Sequence, residues 1–501
     1  MDADTILELK PELTRFLHEF DDCFGRRQTR GHLATYVQGQ LGDLPRKSVE
    51  PIADAAGMPP RTLQEFLSLS RWDEPRLRDR LQQRVARHYP HAHSVGILDE
   101  TSFVKKGDKT ACVQRQHCGA AGKTENCVVS VHLGYATPDF HTLLDGELYL
   151  PEKTWDQNPD RRREAGVPDE VSYRPKWRIA LEQRRRAVAN GIRLRWMTFD
   201  EGYGGKPPFL RELDALGQDY VAEVPRSFHV WTQRPEVLHR RHARDRHKPG
   251  RRRKFPRLKA KNNPTVTVEN VLRHSPLLRR QPWVTYHVKD GTKGPMVWEV
   301  KHLLVYLKDE RGLPAGGGRA YHLLIARNVL NPAEVKYFLS NAGEATAVST
   351  LLLVAFSRWK IERMFEDSKM ELGLDHFEVR KYQSIQRHLL LSCVSHLFLA
   401  EFHQRHVVAG GATSGGGGGK KKDADDQPGG HGDHPPGAAL GLWRPLLASP
   451  GGNDQRANRD NPTAQRQGGK KPPQANDPQI TQVGHQPENL ETMSMAENVA
   501  L

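Results

Sequence analysis

The spacing of apolar residues predicts helices over the first 90 residues of the chain. Four of these residues recur at i, i+3, i+4 and i+7, which places them on one face of a helix; they are Leu13, Phe16, Leu17 and Phe20. Pro11 lies just ahead of them and suits a helix start, where its missing N–H costs nothing. Residues 74–89 repeat the apolar pattern. We therefore predict a helical N-terminal domain at residues 1–90.

A short unit inside this region resembles a helix-turn-helix. Its first helix is predicted over 52–56 and its second over 61–67, with Gly57 supplying the tight turn between them. A DNA-contacting unit and an ordinary helical hairpin both fit this pattern.

From residue 94 the apolar runs shorten and alternate with helical segments. The order is three strands, a helix, a strand, a helix and a strand, which is typical of an α/β core with a mixed sheet. The first strand carries an apolar run that ends at Asp99, and the fourth ends at Asp200. We place the first part of this core at residues 91–225.

Residues 226–325 break that rhythm and are predicted to form a β-rich, basic insertion into the core. The predicted strands are 283–290, 295–309 and 321–328. Helices are predicted to resume at 331–346 and to continue to residue 408, completing the core. Beyond 409 the chain is rich in Gly, Pro, Asn, Gln and charge, without apolar periodicity, so we predict a disordered tail at 409–501.

Charge points to an acidic partner. The 501 residues include 75 Lys and Arg against 60 Asp and Glu, a formal net charge of +15. Nucleic acid is the commonest partner of so basic a chain. The five Cys form no CxxC pair, and we interpret them as ordinary thiols. No apolar run approaches the ~20 residues that span a bilayer, so we expect a cytoplasmic protein with no membrane contact.

Two acidic residues stand where chemistry is expected in an α/β sheet. Asp99 and Asp200 each follow an apolar strand, and strand ends face the cleft in which ligands bind. Carboxylate oxygens are preferred by hard cations such as Mg²⁺. Two such ions can clamp the attacking and leaving oxygens in phosphoryl transfer, and a third carboxylate is needed to complete their cage. Either Asp taken alone is more often a turn or cap residue.

A third carboxylate is offered by the segment SRWKIERMFEDSKMELGLDHFEVR. If it is helical, Arg358, Glu362 and Lys369 fall at i, i+4 and i+11 on one face. The cations there could hold a DNA backbone. The same spacing also fits a solvated amphipathic helix with a surface Arg–Glu pair. The competing carboxylates on this helix are Glu366, Asp367 and Glu371.

Three blocks, taken in order, resemble the DDE transposases of bacterial insertion sequences, and especially insertion-sequence family 701. They are GILDETSFVKKG, TFDEGYG and RWKIERMFEDSKMELGLDHFEVR, and the stretches GAAGKTENCVVSVHLGYA, LYLPEKTW and YRPKW add to the likeness. The resemblance runs from roughly residue 15 to residue 405.

The resemblance implies an RNase H-like fold in which Asp99, Asp200 and Glu362 are catalytic and hold two Mg²⁺, or Mn²⁺, ions. Related transposases carry the signature Y-x2-R-x3-E-x6-K, which this chain matches at Arg358, Glu362 and Lys369. Ala355 stands at the Tyr position and is followed by Phe356. The E-x6-K register selects Glu362 over Glu366. The resemblance also implies that Arg358 and Lys369 bind phosphates near the cleaved end.

Further DNA contact is predicted for a dense basic segment, which has twelve Lys and Arg in residues 240–261. Its centre is Arg251, Arg252, Arg253 and Lys254. It would bind the DNA backbone without reading sequence, or else form a solvated loop.

The predicted function is Mg²⁺-dependent cleavage at transposon ends and strand transfer into target DNA by a homodimer or higher multimer. Three alternatives remain: a nuclease of the same fold that does not join, a helix-turn-helix regulator, and an inactive transposase relic.

Overall fold

A computed structural model describes residues 3–238, 255–260, 262–291 and 294–408. The predicted disordered tail at 409–501 and most of the basic segment lie outside the described residues.

Helices form the N-terminal region, as predicted. They are α1 (Ala3–His18), α2 (Arg27–Leu41), α3 (Val49–Ala55), α4 (Pro60–Ser68) and α5 (Glu74–His88). The helix α1 contains Pro11 in its interior rather than in its first turn, because the helix starts eight residues before that proline. The helices α3 and α4 form the expected pair, and Gly57 between them adopts the left-handed conformation, with φ +65°.

A mixed sheet of ten strands forms the centre of the described chain. Its N-terminal strands are β1 (Val95–Val104), β2 (Gln114–Cys118), β3 (Lys123–Ala136), β4 (His141–Leu148), β5 (Trp196–Phe199) and β6 (Tyr220–Glu223). The strand β1 pairs antiparallel with β3 and parallel with β5, and β5 pairs parallel with β6. Four strands with antiparallel pairing, β1 to β4, are followed by the parallel strands β5 and β6, an arrangement consistent with an RNase H-like core.

Helices connect and cover these strands. They are α6 (Pro159–Ala165), α7 (Lys176–Ala189), α8 (Glu201–Gly204) and α9 (Pro207–Ala215). The helix α7 follows β4 and precedes β5 along the chain, and it packs on β3 and β4 of the sheet, with Ile179, Leu181 and Ala187 among its buried residues.

Asp99 does not end its strand, contrary to the prediction. The strand β1 continues to Val104, because β3 is long enough to pair with all of it, from Val95↔Ala136 to Val104↔Cys127. The polar residues 99–102 remain in the strand because their backbone pairs with that of β3. The parallel neighbour β5, by contrast, does end here, at Phe199, one residue before the predicted end at Asp200.

Downstream of β6 the chain first forms short elements and then extends the same sheet. The short ones are β7 (His229–Val230), β8 (Val237–Leu238), β9 (Arg257–Leu258), β10 (Val266–Thr267), α10 (Val268–His274) and α11 (Pro276–Arg280). The long ones are β11 (Val284–Gly291), β12 (Gly294–Val305), β13 (Tyr321–Asn328) and β14 (Val335–Ser340).

The strand β14 corrects the helix predicted for residues 331–346. It pairs antiparallel with β13 on one side and with β6 on the other. These two ladders satisfy its backbone, and its last four residues are buried. It thereby joins the β11–β13 hairpins, which had been predicted as strands, to the core sheet.

The remaining described chain is helical, as predicted. It forms α12 (Val348–Phe356), α13 (Trp359–Met370) and α14 (Tyr382–His403), followed by a π turn at Gln404–Val408. The helix α14 is buried along most of its length. In the part of the chain described, no helix is long and apolar enough to cross a membrane. All five cysteines are buried and free, in agreement with their interpretation as ordinary thiols.

Candidate active site

The two aspartates predicted from the sequence lie side by side in the sheet. The last paired residues of β1 and β5 are Leu98 and Phe199. Asp99 and Asp200 are therefore the next residue on each of two adjacent parallel strands. At that point β5 stops and leaves a gap beside β1, so the two carboxylates share one edge of the sheet.

Local backbone geometry orients both carboxylates. The Glu100 N–H donates to Asp99 Oδ1 at 2.8 Å. Asp200 is the N-cap of α8 and accepts from the Tyr203 N–H at 3.3 Å, as Asp does at helix starts.

A glycine allows α8 to lie against the end of β6. A Cβ built on Gly204 would fall 1.9 Å from the backbone oxygen of Glu223. A side chain at this position would push α8, and Asp200 with it, away from the sheet.

Arg358 links the carboxylates of the site. Its guanidinium lies 3.1 Å from Asp99 Oδ2 through Nη1 and 3.1 Å from Glu362 Oε1 through Nη2. The Nε atom of Arg358 is 3.9 Å from Glu223 Oε2. Arg358 was predicted to bind a DNA phosphate; in this structure it lies between carboxylates contributed by β1, β6 and α13.

The structure separates Glu362 from the competing carboxylates on the same helix. Glu366 and Asp367 both pair with Arg363, at 2.9 and 2.8 Å, and not with Arg358. Glu362 is the carboxylate of α13 that shares a guanidinium with Asp99, and its side chain is 61% exposed. It is therefore open to a ligand approaching from solvent.

Negative charge at this edge of the sheet is only partly compensated. Burial raises the pKa of Asp99 to about 7, with a further contribution from the carboxylate of Asp200, while Arg358 opposes the shift. Burial also raises the pKa of Asp200, against the Tyr203 hydrogen bond and Arg358, which lower it. The pair would consequently gain from an additional cation.

Two further carboxylates at the site were missed by the sequence analysis. Glu223 ends β6 and accepts from Lys336 at 2.8 Å, and Glu100 pairs with Lys176 at 2.7 Å. Both raise the pKa of Asp200. The signal for Glu223 was available, because it stands at a strand end as Asp200 does, in the segment DYVAEVP.

The other predicted site residues lie elsewhere. The Nζ atom of Lys369 is 6.0 Å from the centre of the Phe103 ring, near the far end of β1. Phe356, next to the missing Tyr, packs against Trp298 and Phe338 in the apolar layer. Arg251, Arg252, Arg253 and Lys254 lie outside the described residues.

The donor chemistry fits a hard divalent cation. Among the described residues, no three His, Cys, Asp or Glu side chains already form a metal cage. However, Asp99 and Asp200 follow adjacent parallel strands, are partly buried and are acceptor-only when ionised, and Glu362 is held nearby through Arg358. Mg²⁺ and Mn²⁺ both prefer oxygen ligands of this type.

Comparison with known proteins agrees with this arrangement. A family model of DDE superfamily endonucleases matches residues 19–295, more than half of the chain. The match includes Asp99 and Asp200 and ends before Glu362.

A probable transposase for insertion sequence element IS701 of Microchaete diplosiphon is 30% identical over 207 residues, which cover 41% of this chain and 50% of that protein. The chain thus spans about half the length of this curated relative. The extent of the family match shows that the chain belongs to the DDE superfamily of endonucleases.

Proposed function

We propose that this endonuclease is the transposase of a bacterial insertion sequence, cutting DNA at transposon ends and joining those ends to target DNA. The observation that carries the proposal is the adjacent pair Asp99 and Asp200, linked to Glu362 through Arg358. The similarity to the IS701 protein, whose name describes a probable transposase, supports the same activity.

Asp99, Asp200 and Glu362 would hold two divalent ions, Mg²⁺ or Mn²⁺. Such ions would polarise the attacking and leaving oxygens of a phosphodiester. Arg358, with its carboxylate partners engaged by cations, would be free to pair with a phosphate, as guanidinium groups commonly do. The protein would act by positioning the reacting groups and by stabilising charge.

The reaction would have two phosphoryl-transfer steps. In the first, water attacks the phosphorus at the transposon end, and the bond from phosphorus to the 3′-oxygen breaks, leaving a 3′-hydroxyl and a 5′-phosphate. In the second, that 3′-hydroxyl attacks a phosphodiester of target DNA and displaces a target 3′-oxygen. The number of phosphodiester bonds is conserved in the second step. A homodimer or higher multimer would bring two transposon ends together.

Single substitutions of the three carboxylates test the assignment. We expect Asp99→Ala, Asp200→Ala and Glu362→Ala each to lower Mg²⁺-dependent cleavage of a duplex carrying the element's ends by more than about 100-fold, while DNA binding largely survives. Glu366→Ala is the matched control, because it removes a carboxylate four residues along the same helix that pairs with Arg363. Robust cleavage by any of the three variants would contradict the proposal.

A strand-transfer assay separates a transposase from a nuclease of the same fold. Only a transposase forms joints between the cut ends and a target plasmid. Cleavage without joints would favour the nuclease, and loss of all three carboxylates without effect on DNA-dependent function would favour a regulator.

A further inference from the structure

Two lysines and two phenylalanines form a cluster at the C-terminal end of β1. The rings of Phe103 and Phe377 lie 5.1 Å apart, edge to face. The Lys105 Nζ atom is 3.5 Å from the centre of the Phe377 ring, and Lys369 Nζ is 6.0 Å from the centre of the Phe103 ring. We call these four residues the lysine–phenylalanine cluster.

Neither amine of this cluster forms an ion pair with any residue that the structure describes. Lys105 Nζ donates one hydrogen bond, to the Phe377 carbonyl at 2.7 Å, although an ammonium group has three donors. Both lysines are half-buried. Burial lowers the pKa of Lys369 and lowers that of Lys105 to about 8, against the attraction of Asp375 in each case. A half-buried amine without a paired anion is stabilised strongly when an anion binds.

The cluster lies on the same face of the sheet as the acidic site. Side chains alternate along a strand, so Asp99 and Phe103 share the face of β1 that α13 covers. Lys105 directly follows the strand, and its N–H continues the ladder to the Asn126 carbonyl at 3.0 Å, which places Lys105 on the same face. The contact of Arg358 with Asp99 and that of Lys369 with Phe103 fix the two ends of α13 over this face. Lys369 is seven residues beyond Glu362, about 10 Å along the helix, and Lys105 is six residues beyond Asp99, about 20 Å along the strand.

We propose that Lys105 binds a phosphate of the DNA backbone that leads away from the cleaved bond, farther from the acidic site than Lys369, whose phosphate contact the family resemblance already implies. The proposal takes the duplex axis to run along β1. A DNA strand carries one phosphate per about 3.4 Å of that axis, so Lys105 and Lys369 would lie near the sixth and the third phosphates from the cleaved bond. This inference rests on the proposed function and assigns the path of its substrate.

A purely structural role for Lys105, tying the end of β1 to the Phe377 segment, makes a different prediction. If the Lys105 hydrogen bond to Phe377 served only the fold, its loss would lower folding stability and leave the salt dependence of DNA affinity unchanged. A phosphate contact releases counterions and therefore contributes to the salt dependence of affinity.

The test measures the affinity of the full chain for a duplex carrying the element's ends, as a function of salt concentration. We expect Lys105→Met to reduce the slope of log Kd against log salt by about 0.9, the value for one phosphate contact. Lys105→Arg should retain the slope. Lys109→Met is the matched control, because it removes a charge four residues away that pairs with Glu164 at 2.9 Å. An unchanged slope for Lys105→Met would overturn the inference.

A second measurement leaves the protein intact, in case Lys105→Met does not fold. Uncharged methylphosphonates are placed singly at the first eight phosphates from the cleaved bond. We expect weaker binding by the wild-type protein when the substitution is near the sixth phosphate, and no such loss with Lys105→Met. Equal affinity at positions four to eight would also overturn the inference.

The outcomes separate this inference from the proposed function. If the wild-type protein neither binds nor cleaves this duplex, the proposed function itself fails. Normal cleavage with no effect of the Lys105 substitution refutes the inference alone.

Discussion

Arg358 is the residue on which the electrostatics of the site depend. One guanidinium approaches three carboxylates, Asp99, Glu362 and Glu223, and still leaves the pKa of Asp99 at about 7. A buried carboxylate with a raised pKa costs folding free energy at neutral pH, because the unfolded chain ionises it more easily. Such a cost is expected where selection favours function over stability.

The sign of this effect gives a test on the metal-free protein. The folded-state pKa of Asp99 exceeds its ordinary value, so the folded chain binds more protons between about pH 4 and pH 7, and its stability falls as pH rises through that window. Asn cannot ionise. In the presence of a chelator, we expect the stability of Asp99→Asn relative to wild type to be about 2 kcal/mol greater at pH 8 than at pH 5. Thermal denaturation at the two pH values measures this difference.

Two comparisons check the cause. Glu366→Gln removes an exposed carboxylate from α13 and should show no comparable pH trend. Added Mg²⁺ should raise the melting temperature of the wild type more than that of Asp99→Asn, since a ligand stabilises only the state that binds it. A variant whose advantage is the same at pH 5 and pH 8 would show that Asp99 ionisation does not limit stability.

The sequence alone identified some of the site residues and not others. Asp99 and Asp200 could be identified because each follows an apolar run, even though β1 continues beyond Asp99. Glu362 could not be chosen from its helix without the family resemblance, since its distinguishing contact is with an arginine that also reaches another element. Contacts of this kind depend on tertiary packing and leave no local pattern.

At the scale of elements, the site is set by where strands stop. The strand β5 ends at Phe199, and α8 turns immediately across the end of β6. The close approach of Gly204 to the Glu223 carbonyl keeps this turn tight. The DEGYGG segment is therefore a structural requirement of the site as well as a source of one carboxylate.

We expect Gly204→Ala to displace α8 and to damage both folding and activity. The new Cβ would overlap a backbone oxygen, and overpacking of this kind costs about 1–3 kcal/mol. A shift of Asp200 of about 1 Å would lower cleavage by about 100-fold. Denaturant unfolding and end cleavage measure the two effects. Gly25→Ala is the control, because its Cβ would meet nothing within 4 Å; equal behaviour of the two variants would refute the role of this contact.

The strand β14 shows why element prediction failed in one place. Its segment, NPAEVKYFLSN, mixes charged and apolar residues with no clean alternation, and a helix was predicted. What decides its conformation is the pair of strands on either side, β13 and β6. Such pairing is non-local, and propensity does not report it. The strands β11 to β13, with longer and more apolar runs, were predicted from the sequence alone.

At the scale of the whole molecule, α14 connects the N-terminal helices to the sheet. Glu401 of α14 is fully buried and accepts from Arg84 of α5 at 2.8 and 2.7 Å. Gln40 of α2 exchanges hydrogen bonds with Ser392 and Ser395, at 2.9 and 2.7 Å. On its other side α14 packs against β4, where His396 and Thr142 lie 3.2 Å apart.

These buried polar contacts bear on whether residues 1–90, proposed from the sequence as a domain, fold alone. The isolated segment would lose Glu401 as a partner of Arg84, which would keep only Glu19, and would lose both serine partners of Gln40. It would also expose the apolar surface that α14 covers. Losing one charged hydrogen-bond partner of a buried arginine costs about 1.5–3 kcal/mol, which is a large fraction of the small net stability of a domain.

We therefore expect a fragment of residues 1–92 to lack a cooperative thermal transition and dispersed amide resonances, although its helices have favourable apolar spacing. Residues 1–408, which retain α14, should unfold cooperatively and serve as the control. Within that longer chain, Glu401→Gln should lower the free energy of unfolding by about 1–3 kcal/mol, because Arg84 loses its buried counter-charge and keeps only the more exposed carboxylate of Glu19. A 1–92 fragment that melts cooperatively would show that the N-terminal helices form an autonomous domain and that α14 only docks against it.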